Sequence, residues 1–179
     1  MANATRGPRR RQLPHTEELK AWREFIETIE ALRSEIASRL LAETSLSAGD
    51  YSVLLALSEA PGQRMRSSEL AAAITWERSR LSHHLGRMER RGLIRRDECA
   101  ADSRGAEVVL TTTGAAAFHG ATVPHLRAVR ELFVDAFTPD QLDAARTVAA
   151  ALRIHQDHRR TGPPPANPRK AMEARHGRA

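Results

Sequence analysis

SSELAAAITWERSRLSHHLGRMERRGLIRRDECAADSRGAEVVLT, Ser67 to Thr111, carries the pattern that decides the fold. It opens at Ser67, whose hydroxyl can cap a helix. Glu69 then lies near the positive end of the helix dipole, and Leu70, Ala73 and Ile74 are spaced for burial. This helix is short and ends by Thr75. A second helix is predicted over roughly Glu77 to Arg91, with Leu81, Leu85 and Met88 separated by four and three residues and therefore facing a core. At about 100° per residue, Ser79, His83, Gly86 and Arg90 fall opposite that stripe, flanked by Arg80, Ser82 and Arg87. Glu77 sits at the helix start and Glu89 toward the apolar side, which leaves the polar face cationic and free of carboxylates. A face that only meets solvent normally mixes both signs.

Gly92 suits a left-handed C-terminal position, and the chain becomes strand-like over Leu93 to Arg96. A second strand, Ala106 to Thr111, is β-branched or apolar at most positions. The loop between them, Asp97 to Gly105, holds the turn residues Asp102, Ser103 and Gly105, with Arg104 at or near the tip. A helix-turn-helix followed by a basic β-hairpin is a winged helix, in which the second helix enters a major groove and the wing lies over the adjacent minor groove. The expected fold class is therefore mainly α with a small β-hairpin.

SELA at 68–71, SRLSHHLGRMERRGLIRR at 79–96, and Asp102-Ser103-Arg104-Gly105 together resemble the multiple-antibiotic-resistance-regulator (MarR) family of bacterial transcription factors. The D-x-R wing is the most specific part of the likeness, which extends from about Thr16 to about His158. The resemblance implies that Arg104 enters the minor groove and that Asp102 braces it. It also implies a homodimer on a pseudo-palindromic operator, most often as a repressor. In that family a pocket between the first helix, the fifth helix and the DNA-binding lobe takes small aromatic or amphipathic effectors, for which Trp22 and Tyr51 are the candidate residues here.

With 179 residues, 41% of them hydrophobic, the chain can bury one core of ordinary size, and an obligate partner could extend it. No apolar run approaches the ~20 residues that span a bilayer, and the Arg-rich start lacks the apolar segment of a signal peptide, so a cytoplasmic protein is expected. The net charge of +6 is unevenly placed. Residues 1–15 carry four Arg and no acid, and 159–179 carry six basic residues against Glu173, which leaves 16–158 at −3. Inside that acidic core, residues 64–104 hold ten Arg against six acids, while 17–43 hold four basic residues against seven acids. Such segregation points to one nucleic-acid face.

Around this centre the chain divides into five parts. Residues 1–15, basic and broken by Pro8 and Pro14, read as a disordered arm. A helix from Thr16 to about Ala42, within a dimerisation segment 16–46, repeats Leu19, Trp22, Ile26, Ile29, Leu32, Ile36 and Leu40 every three or four residues. That stripe is longer than one small domain can cover, which suggests a subunit interface. Residues 47–112 form the DNA-binding lobe. It opens on Ser47-Ala48-Gly49-Asp50, a capping box with Asp in place of Glu, with Leu46 stapling onto Tyr51. Residues 113–158 supply two further dimerisation helices, one with Pro124 as an expected kink and one capped by Thr138-Pro139-Asp140-Gln141. Residues 159–179, with Pro163-Pro164-Pro165 and no periodicity, read as a disordered basic tail.

DNA contacts are assigned to Ser79, Arg80, Ser82, His83, Arg87, Arg90 and Arg95 as well as the wing pair. Arg80 or Arg87 is the expected base reader, since Arg matches the two acceptors of a guanine edge, while Arg90 and Arg95 are expected on phosphates. His84, nearer the apolar boundary, is expected to pack. His83 and His84 diverge by about 100° and cannot comfortably share a metal. His155 and His158, three apart, would suit zinc if a carboxylate such as Asp157 or another His joined them, and they lie beside the tail rather than in a formed site. A single cysteine, Cys99, excludes an intramolecular disulfide and a cysteine-only metal cage, and peroxide-sensing members of the family place theirs in the first helix, so Cys99 reads as a bystander. No nucleophile elbow, phosphate loop, paired-Cys motif or HExxH is present. The reading is of a regulator without metal or cofactor and not an enzyme. The alternatives at this point are a nonspecific architectural DNA-binding protein and a winged-helix protein-interaction module.

Overall fold

The computed structural model describes residues 13–98 and 106–161, apart from the side chains of Glu98, Arg160 and Thr161. The arm up to residue 12, the wing tip 99–105 with Cys99, Asp102 and Arg104, and the tail beyond 161 lie outside the described residues. The chain forms two compact units, one ending at Asp135 and one beginning at Ala136.

In chain order the first unit holds α1 (Thr16–Thr44), α2 (Ala48–Glu59), β1 (Arg64–Arg66), α3 (Ser67–Ala73), α4 (Arg78–Arg90), β2 (Ile94–Glu98), β3 (Ala106–Leu110) and α5 (Thr112–Leu132). Most helix starts follow local chemistry. His15 caps α1: its Nδ1 accepts the Glu18 amide at 3.3 Å, and its own amide donates to the Glu18 carboxylate at 2.8 Å. The box expected at α2 forms, with the Ser47 amide on Asp50 Oδ2 at 2.9 Å and the Asp50 amide on Ser47 Oγ at 3.1 Å; Leu46 and Tyr51 of the staple are both buried. Thr111 caps α5 by accepting the Gly114 amide at 2.9 Å, and the helix then runs continuously past Pro124.

Ser67 corrects one expectation. It is the first residue inside α3, not its cap, and its hydroxyl donates to the Ala106 carbonyl on β3 at 2.8 Å. The Arg66 amide is taken instead by the Glu69 carboxylate at 3.3 Å. A second difference is the sheet. Where the sequence pointed to a two-stranded hairpin, Arg64–Arg66 adds a third strand, giving the antiparallel order β1-β3-β2, with Arg64 opposite Val109 and Ile94 opposite Leu110. The run Val108, Val109 and Leu110 is buried throughout, as fits a central strand.

The core gathers Val53, Leu54 and Leu57 of α2, Leu70 of α3, Leu81, Leu85 and Met88 of α4, Val108 of β3, and Phe118 of α5. Each such aliphatic side chain contributes about 1.5–3 kcal/mol relative to exposure, enough to fix the otherwise cationic α4 in place. α1 leans on α5, where Arg39 joins Glu35 at 3.1 Å and Glu131 at 2.8 Å. Only Leu40 of α1 is fully buried; nearer the start, Leu19, Trp22 and Phe25 are exposed. The second unit is the helix α6 (Pro139–Thr161), capped reciprocally by Thr138 and Gln141 at 2.9 and 3.3 Å. It continues past His155 to Thr161, and Val148, Leu152 and Ile154 on it are exposed.

Candidate nucleic-acid interface

α4 presents the face that its sequence promised. Leu81, Leu85 and Met88 are buried, while Ser79, Arg80, Ser82, His83, Arg87 and Arg90 are all exposed. The helix ends on a left-handed Gly92 at φ +71°, with the Gly92 amide on the Glu89 carbonyl at 2.9 Å and the Leu93 amide on the Met88 carbonyl at 3.1 Å. This paired closure satisfies the last carbonyls and turns the chain directly into β2.

Behind that face lies a cluster of polar side chains centred on Asp50, which is 2% exposed. Its Oδ2 accepts from Arg91 Nη1 at 2.7 Å, across from the end of α4, while Oδ1 lies 3.1 Å from His84 Nε2. The second contact has ion-pair distance without hydrogen-bond alignment. Burial alone would raise the Asp50 pKa, but His84, Arg91 and the Ser47 amide and hydroxyl outweigh it and hold the carboxyl well below the usual range. On its other side His84 Nδ1 accepts from Arg87 Nη2 at 2.8 Å. The edge of Trp76 meets the His84 ring at 5.1 Å between centroids, and the Arg80 guanidinium stacks on Trp76 at 4.2 Å. A Cβ on Gly49 would come within 2.8 Å of Trp76 and 3.0 Å of His84, so both rings rest on the first turn of α2 because that residue has no side chain.

Of the two cations expected on phosphates, Arg90 is exposed and Arg95 is not free: its guanidinium binds Asp97 at 2.9 and 3.0 Å, which holds the Asp97 carboxyl below its usual range. Arg96 similarly binds Glu89, at 2.8 and 2.5 Å.

A cleft of about 320 Å³ opens between α1, α2 and α5, lined by Arg33, Ile36, Leu40, Tyr51, Leu55 and His125 among others. Tyr51 lies 4.3 Å from His125 and 5.2 Å from Phe118 between ring centroids. The His125 Nδ1 is buried without a partner, and burial lowers its pKa, which favours the neutral ring. Trp22 does not line this cleft. A larger cleft of about 570 Å³, between α2, α3 and β1, contains none of the residues assigned to DNA. Among the described residues no His, Cys, Asp and Glu cluster could hold a metal ion, and no helix is long and apolar enough to cross a membrane.

A family model described as the MarR family matches residues 44–105. AbsC, a MarR family transcriptional regulator from Streptomyces coelicolor, is 33% identical over 82% of this chain and 99% of its own, with a TM-score of 0.74. The chain belongs to the MarR family of transcriptional regulators. Another MarR family regulator from the same organism, Sco3205, solved in complex with DNA, is 30% identical over 82% of this chain and 91% of its own, with a TM-score of 0.75. A cysteine-to-serine mutant of MarR from E. coli, solved with operator DNA, shares the fold at 20% identity, 76% and 95% coverage, and a TM-score of 0.68. No curated protein matches the sequence.

Within this MarR family chain, sequence reasoning located the exposed face of α4 but not what stands behind it. Asp50 was legible as a capping residue and His84 as a packing one. Nothing local indicated that they meet, or that Trp76 carries Arg80. The faint signal was composition: a histidine and a tryptophan at the margin of a cationic helix, and a glycine inside the first turn of α2.

Proposed function

We propose that the protein is a sequence-specific DNA-binding repressor, not an enzyme, that works in the cytoplasm as a homodimer on a pseudo-palindromic operator. The observation that carries this reading is the carboxylate-free face of α4, exposed opposite a buried apolar stripe. In it Arg80 or Arg87 reads guanine, with Ser79, Ser82 and His83 alongside and Arg90 toward the phosphates; Arg95, on β2, joins Arg90 there by exchanging Asp97 for a phosphate. Arg104, braced by Asp102, takes the minor groove. The exposed apolar residues of α1 and α6 support pairing of two copies, which would present both recognition helices to one side of DNA. The cleft beside Tyr51, with Arg33 at its rim and apolar walls, suits a small aromatic or amphipathic effector that releases the repressor.

The test is a binding titration of wild type, Arg80→Ala, Arg87→Ala and Arg90→Ala against cognate and singly substituted operators at several salt concentrations. Loss of a base reader should weaken cognate binding by about 1–3 kcal/mol and relax preference at one position per half-site. Arg90→Ala should weaken all sequences alike and reduce the salt slope by about one per contact. Uniform weakening by every variant would favour an architectural protein, and no binding by wild type would favour a protein-interaction module.

Assembly is tested separately. Sedimentation at micromolar concentration should show a dimer, and Ile29→Asp, on the half-buried stripe of α1, should weaken it. A stable wild-type monomer would overturn the dimer.

A further inference from the structure

We infer that His84 is a positioning residue for sequence reading: without touching DNA, its imidazole holds the Arg87 guanidinium in the pose that meets a base edge. The inference rests on the proposed function of α4 and adds a requirement that the exposed face does not reveal.

His84 is 7% exposed, so its ring lies beneath the DNA-facing surface. Arg87 Nη2 stands 2.8 Å from His84 Nδ1. A guanidinium can only donate, so Nδ1 must accept, and the proton of the neutral ring then sits on Nε2. That atom faces Asp50 Oδ1 at 3.1 Å, where a carboxylate favours an N–H. Asp50 is in turn fixed by the Ser47 amide at 2.9 Å and by Arg91 at 2.7 Å. The imidazole cannot tilt away, because Trp76 meets it edge-on and the backbone of Gly49 lies beneath both rings.

The chain of contacts therefore runs from the cap of α2, through one imidazole of fixed tautomer, to a single arginine on the surface of α4. His84 occupies one of the five guanidinium donors, leaving the others to form the two-pronged contact that a guanine edge requires. An arginine already held in its binding pose loses less freedom on association than one that samples every rotamer, and the difference appears as affinity for the right base.

Two substitutions separate this role from simple packing. In His84→Asn the side-chain oxygen falls near the place of Nδ1 and can accept from Arg87. In His84→Gln the amide reaches toward Asp50 but leaves no acceptor at the Nδ1 position. The variants are titrated on cognate and singly substituted operators beside wild type, Arg87→Ala and the double variant His84→Gln/Arg87→Ala, with melting curves recorded for each.

At the base position where Arg87→Ala loses preference, His84→Gln should lose about tenfold in discrimination and His84→Asn should stay within about twofold of wild type. The double variant should be no worse than Arg87→Ala alone. Equal losses in the Asn and Gln variants, full discrimination in the Gln variant, or an Arg87→Ala that loses no preference would each overturn the inference while leaving the wild-type protein a sequence reader. A wild type that binds without sequence preference would instead remove the functional reading on which it rests. Should His84→Gln fail to fold, nitrogen-15 spectra of the wild-type histidines decide: a His84 protonated at Nε2 and bare at Nδ1 supports the arrangement, and the opposite tautomer overturns it.

Discussion

Asp50→Ala should destabilise the protein by about 3 kcal/mol or more and abolish specific DNA binding with it. Removing one member of a buried ion pair commonly costs about 3–5 kcal/mol. Here the low end applies, because the Arg91 side chain is 42% exposed and water can take it, whereas the Ser47 amide and His84 lose their partner in a closed site. A domain stable by only about 5–15 kcal/mol cannot absorb such a loss without consequence at physiological temperature. The pH dependence follows from the depressed folded-state pKa of Asp50. Its contribution is complete above the unfolded value of 3.8 and fades as pH falls below that value toward the folded one. Wild type should therefore lose stability in acid more steeply than Asp50→Asn below about pH 4, read as urea midpoints across that range. Parallel curves for the two proteins would show that the carboxylate carries no such weight.

Gly114→Ala is the second large effect. A Cβ at this third residue of α5 would lie 1.9 Å from the Leu93 carbonyl oxygen and 3.0 Å from a Leu110 methyl. That same carbonyl accepts the Thr111 amide at 3.3 Å and the Thr111 hydroxyl at 3.0 Å, so the obstacle is backbone held from two directions. The better helix propensity of alanine is worth at most about 1 kcal/mol, and overpacking a site that can yield already costs about 1–3 kcal/mol. With backbone as the obstacle the clash wins. The expected result is a fall in melting temperature on the order of 10 °C. Gly120→Ala on the same helix is the control: nothing lies within 4 Å of its Cβ, and it should be neutral or slightly stabilising. A Gly114→Ala protein that melts with wild type would contradict the packing described between the end of α4 and the start of α5.

What the sequence disclosed was what short-range chemistry decides. The caps at Ser47 and Thr138, the buried stripe of α4 and the glycine that closes it each depend on residues only a few positions apart in the chain, and each formed as expected. Contacts across longer separations did not show. Three residues, Arg64 to Arg66, have too little pattern to announce a strand, and their pairing lies beyond the whole helix-turn-helix at Glu107 to Val109. Ser67 resembles a cap in isolation and was claimed by Ala106 from the far strand. Arg95 looked like a free cation until the strand put Asp97 on the same face two residues on. For the cleft, Tyr51 was found and Trp22 was not near it, because Trp22 precedes Arg33 by eleven residues, about 16 Å along a helix.

The ladder between β1 and β3 sets Arg64 opposite Val109, so the chain enters the helix-turn-helix and leaves it at neighbouring points, about 5 Å apart. A segment whose ends already touch can be replaced by its counterpart from a relative without rerouting what comes before or after. The inward residues Leu70, Leu81, Leu85 and Met88 must stay compatible with α2 and α5, but the outward ones carry no such obligation. The architecture thus behaves as a socket and a cartridge: the outward face of α4 can be exchanged with the segment Arg64 to Val109, while α1 and the cleft beside Tyr51, which that segment does not line, stay as they are.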